Sequence, residues 1–518
     1  MAAMDEVDRR RFLSLLGAGV AGVAGVSLPG LVAGCAPGGA GAGSASGKSR
    51  PLSAAFNQPI NDLDPHGASA VDEASLLANR QIYDTLVTRN GTELAPKLAK
   101  SWTQPDDKTW EFTLRDDVTF HDGTKLTSAD VKASLERLAK SDGPQKPLWT
   151  AIDTVEAPDP HTIRITTTDP LGTLPTNLTL AFILPAAQLG KADFFRKPIG
   201  SGPFAVESFT PSSQLLLKPV TNYWGGAPTL RGLRLPYIPE TSTRMTSLQN
   251  GEVDVTWIIP PDELKRLAGV DGVRVESKPG VNYFLAWFNC GRKPFSDARV
   301  RRALYHALDI KGIVASLYGE AATVMDAPIP AAVFGHASQQ PYPYDPELAK
   351  RELAEAGYAS GIRTSMMWFK DTGPLATELA QSLISAWAKV GVIVEQQQIE
   401  KAAWIKRLTA LDWDIELQVN TVTTGDADYT LGRLYTSTAN RMGYANKELD
   451  AILAEARSTA DQDKRKSLYG QACEIIWRDA VGVFPAALSS TYGLRSTVRG
   501  FTPAANSQPE FRTVSTAE

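Results

Sequence analysis

Histidine, cysteine and acidic side chains are the groups best suited to catalysis or metal binding, and this chain does not group them for either. Its five histidines lie far apart, without the spacing of metal ligands: His66, His121, His161, His306 and His336. There is no P-loop, no His-Glu-x-x-His pair, no Gly-x-Ser-x-Gly elbow and no zinc-like cysteine spacing. We therefore expect a protein that is not an enzyme and that holds neither metal nor cofactor.

The glycines at positions 17, 19 and 22 match a dinucleotide-binding pattern, but no strand precedes them. They belong to a different feature. A basic patch at Arg9 and Arg10 opens an uncharged, Gly- and Ala-rich run that ends in small residues, which is typical of an export signal. The end of the run, up to Cys35, resembles a bacterial lipobox, so Cys35 is expected to carry a lipid. The paired arginines resemble a twin-arginine signal, with plain secretory export as the alternative.

The composition behind the signal indicates a tethered, water-soluble body. Residues 36–51 are mostly Gly, Ala, Ser and Pro, a composition typical of a flexible linker. The net charge of −4 is spread along the chain, which argues against a nucleic-acid partner. No second long apolar run follows. Cys290 and Cys473 lie in apolar runs, where we expect two free, buried thiols, although disulfide pairing outside the cell is the alternative.

Strand and helix patterns alternate along the body. Trp110, Phe112 and Leu114 alternate with polar residues, which predicts a half-buried strand, and Val118 and Phe120 resume the alternation before a turn at 121–123. Thr127 and Asp130 then fit the capping box of a helix, and a further strand is predicted around residues 163–165.

The second half is richer in helices. Helices are predicted over 296–309, from Asp345-Pro346 to Gly357, and over 375–390, followed by a buried strand at 392–394. We expect Arg299, Arg301 and Arg302 to form a solvated or salt-bridged helix face. Strand–helix–strand order of this kind indicates α/β lobes with partly parallel sheets.

A series of short blocks in fixed order covers nearly the whole body. Two of them are Gly200-Ser201-Gly202-Pro203-Phe204 and Asn222-Tyr223-Trp224-Gly225-Gly226; the others lie at 94–102, 110–118, 120–131, 251–255, 289–304 and 344–358. In this order they resemble the family 5 extracellular solute-binding proteins, the peptide- and nickel-binding subunits of bacterial ABC importers. The resemblance extends over residues 52–515.

The resemblance implies an α/β, two-lobed periplasmic-binding-protein-like fold whose lobes are joined by two hinge strands, near 281–289 and 484–494. Lobe I would contain residues 52–284, with an extra subdomain at about 85–196, and the return segment 487–518. Lobe II would contain residues 285–486. A ligand would lie between the lobes and be enclosed by hinge closure.

The resemblance also implies residues that contact the ligand. Dipeptide binders place a basic residue seventeen positions before the Trp of a Trp-Ala-Lys-Val-Gly block, which is Lys370 here. Their ammonium-binding Asp aligns with Thr423, so either Asp426 or Asp428 replaces it or the site lacks this carboxylate. Further contacts implied by the resemblance are Ser69, Trp287, Trp368 and Thr372.

The expected function is therefore that of a monomeric lipoprotein on the outer face of a membrane. It would bind a di- or oligopeptide or a peptide-like solute and deliver it to ABC permease subunits. The alternatives are a non-peptide solute (a nickel chelate, an oligosaccharide or an opine-like molecule), a signalling or adhesion lipoprotein, and an exported hydrolase.

Overall fold

The computed structural model describes residues 50–370 and 372–517. The predicted signal, Cys35 and the predicted linker up to residue 49 lie outside the described residues. Arg50 donates to both carboxylate oxygens of Asp254 at 2.7 Å, so the end of the predicted linker is fixed to the folded body. Within the described ranges, no helix combines the length and apolar character that a bilayer crossing requires.

The described residues contain twenty strands. They are β1 (Leu52–Ala55), β2 (Val87–Asn90), β3 (Glu93–Pro96), β4 (Ala99–Asp106), β5 (Thr109–Leu114), β6 (Ile152–Asp159), β7 (Thr162–Thr167), β8 (Phe204–Thr210), β9 (Gln214–Pro219), β10 (Leu233–Pro236), β11 (Val255–Trp257), β12 (Val273–Phe288), β13 (Ala322–Val324), β14 (Ile362–Phe369), β15 (Val392–Ile399), β16 (Ile415–Thr421), β17 (Gly482–Val483), β18 (Ala486–Arg495), β19 (Val498–Arg499) and β20 (Ser515–Thr516).

Fourteen α-helices connect these strands in the described part of the chain. They are α1 (Glu73–Ile82), α2 (Ser128–Lys140), α3 (Lys146–Trp149), α4 (Leu174–Asn177), α5 (Thr241–Gln249), α6 (Pro261–Ala268), α7 (Ala298–His306), α8 (Ile310–Leu317), α9 (Pro346–Glu355), α10 (Ala376–Ala388), α11 (Lys401–Thr409), α12 (Leu431–Leu434), α13 (Lys447–Ser458) and α14 (Gln462–Arg478).

Two large hydrophobic cores divide the structure. The first combines side chains between residues 52 and 257 with others between 492 and 514. The buried side chains of the second lie between residues 281 and 487. We call the part around the first core lobe I and the part around the second core lobe II.

One sheet of twelve strands runs through both lobes, in the order β15-β14-β16-β12-β18-β11-β1-β10-β9-β8, with β13 and β17 added beside β18 and β12. The paired strands β12 and β18 pass from one core to the other. Their register shifts between Pro279 and Asn282, where a Cβ on Gly280 would lie 2.3 Å from the carbonyl oxygen of Leu488. Glycine is therefore required at this point of contact between the two connecting strands.

Lobe I also carries a separate four-stranded sheet in the order β4-β5-β7-β6, with α2 beside it. The predicted strands at 109–114 and 163–165 are confirmed as β5 and β7, with Trp110 and Phe112 buried. The predicted cap of α2 is also confirmed: the Asp130 carboxylate accepts from the backbone N–H of Thr127 at 2.9 Å. Val118 and Phe120 are buried, but they lie in a turn region and not in the predicted strand.

The predicted helices of lobe II are confirmed as α7, α9 and α10. Two details differ from expectation. The strand at 392–394 is β15, an edge strand, and Ile393 is 49% exposed because only one face of β15 packs on the core. Arg301 is buried, and its guanidinium donates to the carbonyl oxygens of Phe295 and Asp479, whereas Arg299 pairs with Asp297 at the surface.

The thiols of Cys290 and Cys473 are free, and burial raises the pKa of Cys290 to about 11 and that of Cys473 to about 12. The histidines serve packing and turns. His66 and His121 contact the carbonyl oxygens of Phe182 and Gly202, and His336 pairs with Asp326.

Candidate functional site

Three parallel strands of lobe II end at one edge of the sheet. β14 pairs in parallel with both β15 and β16, and their ends are followed by Lys370, Lys401 and Thr423. Ligands of open α/β sheets bind at the carboxyl ends of such strands. Both lysines are exposed, and the Lys401 ammonium lies 5.7 Å from the centroid of the Phe369 ring. This edge therefore presents positive charge.

The first turn of α1 brings acidic side chains from lobe I to the same edge. Asn282 Nδ2 donates to Glu73 Oε1 at 3.4 Å, and Asn282 is paired with Thr421 at the end of β16. Partial burial, together with Asp62, raises the pKa of the neighbouring Asp72, while the Lys401 ammonium of lobe II opposes that shift. Opposite charges of the two lobes thus face each other here.

Ser69 lies in the turn before α1, at 9% exposure. Its carbonyl oxygen accepts from the backbone N–H of Asp72 at 3.0 Å. Gln145 holds the same turn by donating to the carbonyl oxygen of Ala70 at 3.2 Å. The turn therefore places Ser69 beside the acidic start of α1.

Asp426 is occupied by arginines of the protein itself. Its Oδ1 accepts from Arg465 at 2.8 Å, and both side chains are at most 1% exposed. Its Oδ2 lies 3.3 Å from Arg89 of lobe I and also accepts from the Thr176 hydroxyl at 3.3 Å. Asp426 therefore joins the two lobes in this conformation and has little free capacity for a ligand ammonium.

Asp428 is likewise paired with an arginine of the protein. Arg457 donates to it at 3.1 Å, and its side chain is 12% exposed. Burial raises the pKa of Asp428, and the Arg457 guanidinium works against this shift. Thr423, where the resemblance places the ammonium-binding carboxylate of dipeptide binders, is half-buried in the turn that follows β16.

A second direct contact between the lobes lies near α13. The backbone N–H of Gly172 donates to the carbonyl oxygen of Arg457 at 2.8 Å. A Cβ on Gly172 would lie 1.9 Å from the carbonyl oxygen of Thr459, so only glycine permits this approach. The lobes are therefore in van der Waals contact, as in a closed form.

The other residues expected at the ligand lie deeper in lobe II. Trp287 is 1% exposed and its indole donates to the Tyr435 hydroxyl at 3.0 Å. Trp368 is also 1% exposed and donates to Thr377 at 3.3 Å. The hydroxyl of Thr372 donates to the carbonyl oxygen of Phe369 at 2.7 Å and shapes the turn after β14. Their predicted role at a ligand stays a prediction.

The structure adds residues that the sequence analysis did not select. The charges of Asp426 and Asp428 are neutralised by Arg89, Arg465 and Arg457. No local pattern links residues so far apart in the chain. Glu73 and Lys401 line the edge described above. The strand predicted at 392–394 stopped short of Lys401, and only the full length of β15, to Ile399, places Lys401 near the carboxyl end of a strand, where α/β proteins bind ligands.

Comparison with known proteins agrees with this geometry. A family model for "Bacterial extracellular solute-binding proteins, family 5 Middle" matches residues 93–442. The glutathione-binding protein GsiB of Pectobacterium atrosepticum is 29% identical over 83% of this chain and 87% of its own length. The probable D,D-dipeptide-binding periplasmic protein DdpA of Escherichia coli is 30% identical over 81% and 84%.

Among solved structures, the periplasmic binding protein DppA of Helicobacter pylori, in complex with the peptide STSA, superposes with a TM-score of 0.75. The two are 27% identical, and the match covers 90% of this chain and 98% of that one. The predicted two-lobed α/β fold is thereby confirmed, and the family consists of substrate-binding proteins, not enzymes. The chain belongs to the family 5 extracellular solute-binding proteins, the solute receptors of bacterial ABC importers.

Proposed function

We propose that this receptor binds a short peptide or peptide-like zwitterion between its lobes and passes it to an ABC permease. The charge arrangement at the cleft carries the proposal. Lys370 and Lys401 of lobe II suit a carboxylate, and Glu73 of lobe I suits an ammonium group. The names of GsiB and DdpA, which refer to glutathione and to D,D-dipeptides, support a peptide-like solute.

The proposal includes a tether and a division of the chain. Cys35 carries a lipid on the outer face of the membrane, residues 36–51 form the linker, and export follows the twin-arginine route. Lobe I comprises residues 52–284 and 487–518, with a subdomain at about 85–196, and lobe II comprises residues 285–486. The receptor acts as a monomer. Growth of a strain with Cys35→Ala in radiolabelled palmitate tests whether Cys35 carries the lipid. Continued labelling of the variant protein would contradict lipidation at this cysteine.

Binding without turnover is the main test of the function. Incubation with an equimolar mixture of di- and tripeptides is expected to raise the melting temperature of the protein and leave every peptide intact by mass spectrometry. A hydrolase would instead consume peptides from the mixture. Cleavage products that appear in the wild-type sample but not in a blank without protein would therefore contradict the receptor function.

Lys370→Ala is expected to weaken binding of peptides with a free carboxylate by about 1.5–3 kcal/mol, the range for a hydrogen bond to a charged group. This corresponds to roughly tenfold to 150-fold in Kd. Isothermal titration calorimetry with a peptide retained from the mixture measures the change.

Two comparisons sharpen this measurement. The C-terminal amide of the same peptide should bind wild type and Lys370→Ala alike, because it lacks the carboxylate. Lys265→Ala, which removes an exposed lysine from α6, should leave the affinity unchanged. Equal affinity of wild type and Lys370→Ala for the free peptide would remove Lys370 from the site.

A further inference from the structure

Three acceptor groups from distant parts of the chain meet beside the start of α1. Glu73 is the first residue of α1, Asn282 belongs to the connecting strand β12, and Gln508 lies in the C-terminal segment. Gln508 Nε2 donates to the backbone carbonyl oxygen of Glu73 at 3.1 Å, and Asn282 Nδ2 donates to the Glu73 carboxylate at 3.4 Å. Glu73 is thus the common neighbour of both amides.

These contacts use the donors of the cluster and leave its acceptors free. Asn282 Oδ1 and Gln508 Oε1 are buried atoms without a hydrogen-bond partner among the described residues, and Gln508 is 6% exposed. The orientation of each amide is set by its N–H contact to Glu73. A buried acceptor without a donor is costly, so the cluster is incomplete without a group that supplies donors.

The charge of the cluster is also uncompensated. No cation of the described residues pairs with Glu73, and burial raises the pKa of its carboxyl group, an effect that the Asn282 hydrogen bond partly offsets. The other carboxylates near the end of β16 are not available, because Asp426 pairs with Arg465 and Arg89. Of Glu73, Asp426 and Asp428, Glu73 is therefore the carboxylate left free for a ligand cation.

We propose that Glu73, Asn282 and Gln508 form the subsite for the ammonium group of the solute. This inference rests on the proposed function, since it assigns the amine end of the same ligand. An ammonium group has three N–H donors, which match one carboxylate oxygen and the two free amide oxygens. The resemblance places an ammonium-binding carboxylate at Thr423, which carries no charge. The subsite at Glu73 would take over this role.

Its position suits a short zwitterion. Asn282 is paired with Thr421 of β16, and the register of β14 with β16, continued past the strand end, places Lys370 level with Val419. With strands about 4.8 Å apart and residues about 3.3 Å apart, the Cα atoms of Lys370 and Asn282 are separated by roughly 12 Å. An extended tripeptide spans about 10 Å, so its two ends reach both subsites.

The test compares an equimolar mixture of di- and tripeptides with the same mixture acetylated at the N-termini, using native mass spectrometry. Wild type is expected to retain free peptides at least tenfold better than acetylated ones. Glu73→Gln should abolish this preference while still binding peptides, and Gln508→Met should reduce it. Glu93→Gln, which neutralises an exposed acid on β3, is the matched control and should behave as wild type.

Each outcome decides the question. If Glu73→Gln keeps the tenfold preference for free amines, the subsite is wrong while the peptide function stands. If wild type retains neither mixture, the peptide function fails, and a crystal of wild type soaked in butylammonium then decides the subsite by itself. Butylammonium bound to Glu73 and the two amide oxygens would support the subsite, and its absence there would overturn it.

Discussion

Replacing Arg465 with methionine is expected to lower the free energy of unfolding by about 3–5 kcal/mol, because it leaves a buried carboxylate without its main counter-charge. Asp426 is 1% exposed and Arg465 is fully buried. The guanidinium also donates to the Tyr469 hydroxyl at 3.2 Å and lies 5.1 Å from the centroid of the Phe334 ring. Urea denaturation followed by tryptophan fluorescence measures the loss.

Matched variants separate the buried pair from a general effect of losing an arginine. Arg196→Met removes an arginine that is 86% exposed and pairs with an exposed Asp193, so it should change stability by less than about 1 kcal/mol. The double variant Arg465→Met with Asp426→Leu should recover much of the lost stability, because it removes the uncompensated charge. If Arg465→Met alone were as stable as wild type, Arg465 would not be the counter-charge that stabilises the buried Asp426.

Gly172→Ala is expected to weaken solute binding by roughly fivefold to 150-fold, with little change in resistance to urea. The added Cβ would lie 1.9 Å from the carbonyl oxygen of Thr459 across the cleft, so the closed form must open slightly to accept it. Overpacking of this kind costs about 1–3 kcal/mol. The cost falls on the closed form alone, so it reduces the population that holds the ligand.

Gly470→Ala is the matched control for this variant. Gly470 lies in α14, and its added Cβ would meet only the side chain of Ala337 at 3.5 Å, an ordinary contact. The Kd of a retained peptide should therefore change for Gly172→Ala only. Small-angle X-ray scattering with saturating peptide should give a larger radius of gyration for Gly172→Ala than for wild type. Equal affinity and equal radius would exclude a role for this contact in closure.

Local patterns were sufficient to predict much of the fold. The alternation at Trp110 and Phe112 predicted β5, and the Thr127–Asp130 pair predicted the start of α2, because both signals arise between residues near in sequence. The edge position of β15 could not be predicted, since Ile393 and its neighbours show only that a strand is present. Which face is covered depends on the sheet order.

The candidate site was less accessible to prediction. Lys370 was selected from the resemblance, and the structure places it at the end of β14. The pairing of Asp426 with Arg465 and Arg89 joins residues 39 and 337 positions apart, which no local pattern reveals. The same is true of Glu73 and Gln508, 435 positions apart, because only the return of the chain to lobe I brings them together.

Native mass spectrometry of residues 36–518, the chain without its predicted signal and Cys35, is the most direct test of whether this protein is a receptor for a zwitterionic solute. The purified protein is expected to retain one equivalent of a small zwitterionic solute, which leaves intact on denaturation and carries both a free amine and a carboxylate. After this solute is removed, one peptide from the di- and tripeptide mixture should take its place. A chain that retains no solute and takes up none of the mixture would contradict a receptor for zwitterionic solutes.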